Sequence, residues 1–446
     1  MRTLRLCQVV IPLLAILLAG SALAYQNPVI FADYSDPDVI RAGDDYYLVA
    51  SSFQAMPGLP ILHSRDLVHW TILSYAAPRH ENELWAPSLR LHDGWFWIYA
   101  GDPDRGIYMT RARDPRGPWE PLTLVKEAKG WIDPCPLWDD DGSVYLIHAW
   151  AKSRAGFNGV LTVNRLSPDG RRVLDEGTVV AGYHPTLEGP KFYKRNGWYW
   201  IFAPAGGVKN GYQLALRSKS VYGPYEEKVV LEQGPTAING PHQGAWVEAM
   251  DGSSWFLHFQ DRGAWGRVVL LEPMQWINEW PEIGHNGHPV VSWRDPLSTQ
   301  HSALQTSDDF NGPTLGLQWQ WDGIQPSLHN GRLLLTNGRV LQKFIGPSFR
   351  ATTHIDESSL KVGERAGLIV TGDEHEGLFI ERTRNGLAVR LRAESRELSA
   401  SEPLALRVDV SPQAVCRFSF SRDGKTFQPL SGAFIARPGH WIGARV

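Results

Sequence analysis

Hydrophobic positions in this chain fall in short, aromatic-rich runs, each opened by a polar turn, and five of these units resemble one another. They are Gly43-Asp44-Asp45-Tyr46-Tyr47-Leu48, Asp93-Gly94-Trp95-Phe96-Trp97-Ile98, Asp141-Gly142-Ser143-Val144-Tyr145-Leu146, Asn196-Gly197-Trp198-Tyr199-Trp200-Ile201 and Asp251-Gly252-Ser253-Ser254-Trp255-Phe256. Asp-Gly and Asn-Gly suit tight hairpins, and the residues after them have strand composition, so each unit predicts a small antiparallel sheet. The turns recur every 48 to 55 residues. A period of roughly 40–55 residues with several strands per unit predicts a β-propeller, and five copies predict five blades.

After Ile283 the period is lost. From Asp308 short strands resume, at Arg332 to Leu335, Gly367 to Val370, Leu387 to Leu391 and Cys416 to Phe420, separated by Gly, Asn and Asp. That texture predicts a β-sandwich of the jelly-roll kind. The expected fold is therefore all-β, with a five-bladed propeller over 25–287, a linker over 288–307 and a sandwich over 308–446.

The first 24 residues read as an export signal instead of as structure: Arg2 and Arg5, the apolar stretch Val9 to Gly20, and the small-residue site Ala22-Leu23-Ala24 before Tyr25. No later segment approaches about 20 uninterrupted apolar residues, so a spanning helix is not expected. The expectation is an exported protein, periplasmic or extracellular, with no membrane insertion. Composition adds one exclusion and one lead. With 44 Lys+Arg against 47 Asp+Glu and no basic run, the chain lacks the electrostatic footprint of a nucleic-acid or anionic-membrane binder. The 19 Trp, with 14 Tyr and 16 Phe, suit sugar-binding faces and core filling alike. Cys7 lies in the signal, which leaves Cys135 and Cys416 either as a bridge or, the favoured expectation, as two unpaired thiols.

The candidate chemistry sits at one offset from the turns. Eight residues before each marker stand Asp36, Trp85, Asp133, Glu188 and Gln243, the last beside His242. Four of them open proline phrases: Asp36-Pro37, Trp85-Ala86-Pro87, Asp133-Pro134 and Glu188-Gly189-Pro190. Equivalent positions on the innermost strands of a propeller ring one mouth of its channel, so three carboxyls are expected to face one another. Acids brought together share protons or split their pKa values, and a split supplies an acid and a base at one pH. Glycoside hydrolysis with room for a water between two carboxyls is the chemistry that asks for this. Asp38, Asp139 and Asp140 read as turn or solvated acids.

The phrases NPVIFADYSDPDVIRAGDDYYLVASSF, ELWAPSLR, WIDPCPLWDDDGSVYLI, LEGPKFYKRNGWYWIF and PHQGAWVEAMDGSSWFLHFQDRGAWGRVVLLEPMQWINEWPEIG closely resemble glycoside hydrolase family 43, in its β-xylosidase and α-L-arabinofuranosidase branch. The resemblance covers about residues 26 to 284 and implies a five-bladed, inverting enzyme. It implies Asp36 as general base, Asp133 as pKa modulator and orienter, and Glu188 as general acid. It further implies Phe53 and Trp85 as apolar walls of the sugar subsite, Arg267 as a contact to substrate hydroxyls, and His242 as the channel histidine near which a calcium ion is held. No cofactor is implied for the chemistry itself. The expected substrates are plant cell-wall oligosaccharides or polysaccharides bearing terminal arabinofuranosyl or xylosyl groups. The alternatives are endo-arabinanase or galactosidase action on the same fold, and a non-catalytic carbohydrate-binding protein. Two departures stand out. Gln54-Ala55-Met56-Pro57-Gly58 holds Ala and Met where relatives carry an aromatic pair, leaving that wall smaller. At the other end SDDFNGPTLGLQWQW and QKFIGPSFRATTHID resemble the family's concanavalin-like sandwich, with its final strands either arranged differently or missing.

Overall fold

A computed structural model describes residues 24–294, 303–398, 404–430 and 432–446. Residues 1–23 of the predicted signal and 295–302 of the predicted linker lie outside the described residues. After β1 (Ala24–Gln26), five four-stranded antiparallel sheets follow in chain order. Blade 1 is β2 (Asp38–Ala42), β3 (Asp45–Val49), β4 (Gly58–Ser64) and β5 (Thr71–Ala77); blade 2 is β6 (Trp85–His92), β7 (Trp95–Asp102), β8 (Gly106–Ala112) and β9 (Thr123–Glu127). Blade 3 is β10 (Trp131–Trp138), β11 (Val144–Trp150), β12 (Leu161–Leu166) and β13 (Thr178–Ala181). Blade 4 is β14 (Lys191–Arg195), β15 (Trp198–Ala205), β16 (Tyr212–Ser218) and β17 (Glu226–Glu232); blade 5 is β18 (His242–Glu248), β19 (Ser254–Asp261), β20 (Arg267–Ile277) and β21 (Trp280–Ile283).

The five marker runs are the second strands β3, β7, β11, β15 and β19. They are buried over most of their length, on both faces, because each blade is sandwiched between two others. Five separate apolar cores result, one at each interface. Val49 and Ile61 meet Phe96 and Ile98 between blades 1 and 2, while Trp97 and Tyr99 meet Trp131 and Leu146 between blades 2 and 3. Trp200 and Phe202 meet Phe256 and Met274 between blades 4 and 5. The marker tryptophans are thus packing residues, with faces turned to neighbouring blades. The ring closes without a shared blade: Ile30 pairs with Val269 of β20, Asn27 brackets Leu271 through both its amide atoms, and Tyr34 N–H reaches the Arg267 carbonyl.

β22 (Ser292–Arg294) returns along β1, so part of the predicted linker is an antiparallel strand against the start of the described chain. β23 (Gln320–Gly323) pairs with β26 (Gly338–Leu341) around the hairpin β24 (Ser327–His329) and β25 (Arg332–Leu334). Two sheets then stack. One runs β27 (Phe349–Ile355), β32 (Leu404–Val410) and β33 (Val415–Ser421), with the short β34 (Gln428–Pro429) and β35 (Phe434–Ile435) on its far side. The other runs β28 (Arg365–Thr371), β29 (His375–Thr383), β30 (Gly386–Leu391) and β31 (Glu394–Leu398). The last residues are paired: Arg445 bridges Thr371 and Lys343, and Val446 exchanges two backbone bonds with Gln342.

The sandwich core does not stop at the domain boundary. Ala264, Trp265, Val268 and Leu270 of blade 5 join the same buried cluster as Phe344, Phe418 and Ala444. Trp265 Nε1 donates to the Pro412 carbonyl at 3.1 Å, and Ala444 N–H to the Ala264 carbonyl at 2.7 Å. The two thiols are free and buried in different domains.

Candidate active site

The innermost strands of four blades enter the channel in the same way. Two residues before the uninterrupted ladder begins, at Asp38, Ser88, Cys135 and Lys191, the backbone takes a positive φ immediately ahead of a proline. The residues there are Asp36 (φ 55°), Ala86 (31°), Asp133 (56°) and Gly189 (58°). The shared offset expected from the turns is corrected by one residue. Asp36 and Asp133 stand on the left-handed residue itself, whereas Trp85 and Glu188 come one residue earlier. The cause lies in the turns: Asp44 is the second residue of its two-residue hairpin turn, while Asp93 and Asn196 are the first of theirs.

The three carboxyls nevertheless share one site. Asp133, from blade 3, is buried and accepts the Gly189 N–H at 2.7 Å, so the residue after Glu188 is tied directly to it. Burial pushes the Asp133 carboxyl well above the ordinary carboxylate value, the charges of Glu188 and Asp36 push it further, and the Gly189 N–H and the Lys191 charge pull it back. Asp36 receives the Ser51 hydroxyl on Oδ2 at 2.5 Å, and Arg267 Nη1 lies 3.3 Å from its Oδ1. The same Ser51 oxygen accepts the Ala86 N–H at 2.7 Å, which fixes its proton toward Asp36. Glu188 shares a 2.8 Å hydrogen bond with His242 Nε2 through Oε1. Its side chain is 22% exposed, the most open of the three, and Oε2 has no protein partner among the described residues.

The walls are aromatic. Phe53 meets Trp85 edge to face at 6.0 Å, and Trp85 meets Trp441 in the same manner at 5.8 Å. Trp85 Nε1 is anchored by Glu83 Oε2 at 2.9 Å. Trp441 comes from the sandwich, stays 44% exposed and lies 5.8 Å from the Arg267 guanidinium. Its placement follows from Asp33, whose Oδ1 accepts the Arg267 N–H at 2.9 Å and whose Oδ2 accepts the Gly443 N–H at 3.0 Å. Trp441 thus adds an aromatic face from the other domain beside Trp85. Met56 itself bridges to Trp321, and so faces the C-terminal region.

The family model described as Glycosyl hydrolases family 43 matches residues 25–281, more than half of the chain. The chain belongs to glycoside hydrolase family 43. A second model, described as Beta xylosidase C-terminal Concanavalin A-like domain, matches residues 307–446. Among family 43 relatives, a putative beta-xylosidase of Xylanibacter ruminicola is 39% identical, over 95% of this chain and 85% of that protein. A non-reducing end alpha-L-arabinofuranosidase of Bacteroides ovatus is 30% identical, over 86% of this chain and 81% of its own. The crystal structure of a Bacillus halodurans xylan beta-1,4-xylosidase superposes with a TM-score of 0.84 at 22% identity, over 94% of this chain and 95% of its own, a likeness of fold. The protein is a glycoside hydrolase of the β-xylosidase and α-L-arabinofuranosidase type, with a propeller and a C-terminal sandwich.

Other expectations for this family 43 site are changed by the structure. Calcium takes 6–8 oxygen ligands. His242 has committed Nε2 to Glu188, its Nδ1 is buried without a partner, and no group of three or more His, Cys, Asp or Glu among the described residues is arranged to hold a metal. The residues present do not fit a calcium cage, and His242 orients Glu188 instead. Arg267, implied as a contact to substrate hydroxyls, also pairs with Asp36 through Nη1. Asp38 is not a turn acid: it is fully buried, and Oδ2 takes both the Leu89 N–H and Arg90 Nη1. Asp139 is likewise buried, held by Lys194 and Tyr199, while Asp140 is solvated. Ser51 and Trp441 join the site with no signal in the sequence. The Ser51 contact crosses 15 residues and Trp441 arrives from another domain, so neither lies on a repeat offset.

Proposed function

We propose that this protein is an exported, inverting exo-glycosidase that removes terminal β-D-xylosyl or α-L-arabinofuranosyl groups from plant cell-wall oligosaccharides and polysaccharides. The observation that carries the reading is the division of labour among the carboxyls. Asp36 is held between a cation and a hydroxyl donor, whereas Glu188 is the most open and keeps one oxygen unengaged. Glu188 Oε2 protonates the glycosidic oxygen as the bond to the anomeric carbon breaks. Asp36 takes a proton from a water, whose oxygen bonds to the anomeric carbon from the opposite face of an oxocarbenium-like sugar. The turnover leaves Glu188 ionised and Asp36 protonated, and solvent exchange resets both.

Asp133 keeps Gly189, and so Glu188, in place. Phe53, Trp85 and Trp441 supply apolar faces suited to one sugar ring. The names of the relatives support pentosides as substrates. Proton NMR of the first product released from nitrophenyl xyloside and arabinofuranoside tests the proposal. It expects the anomer opposite to that of the substrate, and a retained anomer overturns it. Export is tested separately by the N-terminal sequence of protein recovered outside the cytoplasm, expected to begin at Tyr25.

A further inference from the structure

Two residues beyond the left-handed positions, the first ladder residues of the same four strands form a second set of equivalent side chains: Asp38, Ser88, Cys135 and Lys191, all fully buried. Most of its charge is internally matched. Arg90 Nη1 holds Asp38 Oδ2 at 2.7 Å, and Arg90 Nη2 reaches Cys135 Sγ at 2.8 Å. Lys191 is different. Its Nζ makes one hydrogen bond, to the Pro87 carbonyl at 3.2 Å, and it has no ion pair within 4.0 Å among the described residues. That reach runs from blade 4 to blade 2, across the inner strand of blade 3 that carries Asp133.

A buried ammonium without a carboxylate partner is expensive and is retained where a nearby field offsets it. The offsetting field is the carboxyl cluster. Asp36, Asp133 and Glu188 crowd one cavity with Arg267, which pairs with Asp36 alone, and His242, which bonds Glu188. Asp38 and Arg90 cancel, and Cys135 and Tyr193 complete the titratable groups around the strand. Lys191 is the remaining fixed cation. Its charge acts on Asp133, two residues of β-structure away from the Gly189 contact.

We propose that Lys191 is a positioning residue of the hydrolytic site, a buried cation next to the carboxyl cluster that offsets the negative charge gathered around Asp133. The inference rests on the hydrolase reading above but is readable without it. Removing the charge leaves Asp133 and the two acids beside it without that neighbouring cation. In Lys191→Met the acidic limb of kcat/KM for nitrophenyl pentosides therefore moves to higher pH by about half to one unit, a roughly 3- to 10-fold loss below the limb. Lys191→Arg, which keeps the charge, retains the wild-type limb. A structural role alone lowers kcat at every pH and leaves the limb where it was. Independently of any substrate, the urea midpoint of Lys191→Met falls more steeply from pH 5 to pH 8 than that of wild type, because its native state holds the cluster proton more tightly. If Lys191→Met does not fold, Lys191→Gln set against Lys191→Arg gives the same contrast. A limb and a pH slope unmoved in a folded neutral variant, or moved equally in Lys191→Arg, overturn the inference. Absence of pentosidase activity in wild type, with the steeper slope still present, overturns the pentoside reading and leaves Lys191 as the cation that offsets the cluster.

Discussion

Asp133 carries the heaviest electrostatic burden of any side chain in the site, since it is buried between two other acids. A carboxyl whose folded-state pKa is raised binds its proton more tightly in the native protein than in the unfolded chain. It therefore costs stability as pH rises from the unfolded value near 3.9 through the raised one. Asp133→Asn is expected to lose activity yet unfold later than wild type at neutral pH, by about 1 kcal/mol or more, with the gain vanishing toward pH 4. Urea titrations at pH 4 and pH 7 check both halves. Glu188 calls for a different measurement. Glu188→Ala should reduce hydrolysis of natural oligosaccharides by roughly 10²–10⁴-fold while nitrophenyl glycosides, whose leaving group needs no proton, suffer far less. Equal losses on both substrates would remove Glu188 from the acid's role. These residues were legible in the sequence because each is tied to a repeated proline phrase. Lys191 was not, since a lysine directly after such a phrase looks like any polar strand residue until its burial is known.

At the scale of the element, four of the five blades are entered through a left-handed residue ahead of a proline. Asp tolerates that backbone, and so Asp36 and Asp133 serve as both hinge and functional group. In blade 4 the hinge is Gly189, where an added Cβ would stand 2.6 Å from Gln243 Cγ. Gly189→Ala is expected to cost about 1–3 kcal/mol and to depress kcat/KM at least tenfold by loosening the N–H that Asp133 holds; thermal unfolding and steady-state kinetics read the two effects. The blades themselves could be read from their hairpin turns. Their register could not, because an Asp may be the first or second residue of a turn, and only the ladder distinguishes the two. That single-residue ambiguity placed Trp85 and Glu188 level with Asp36, where the structure sets them one position ahead.

For the whole molecule, the informative feature is a pocket whose third wall belongs to a different domain. Trp441→Ala removes an aromatic face that is partly exposed and outside the apolar core, so the fold should persist while KM for pentosides rises roughly tenfold with a smaller change in kcat. An unchanged KM would make Trp441 an incidental neighbour of Trp85. No pattern in the sequence announces this wall, because its partners at Trp85 and Arg267 are distant in the chain and only the shared core around Trp265 brings them together. Asp33 makes the arrangement stricter, as one carboxylate grips the backbone on both sides of the boundary. The pocket consequently has an order of birth. A ribosome delivers Asp36, Asp133 and Glu188 before Trp441, so a nascent chain can hold every acid proposed for hydrolysis and still lack one of the three aromatic faces.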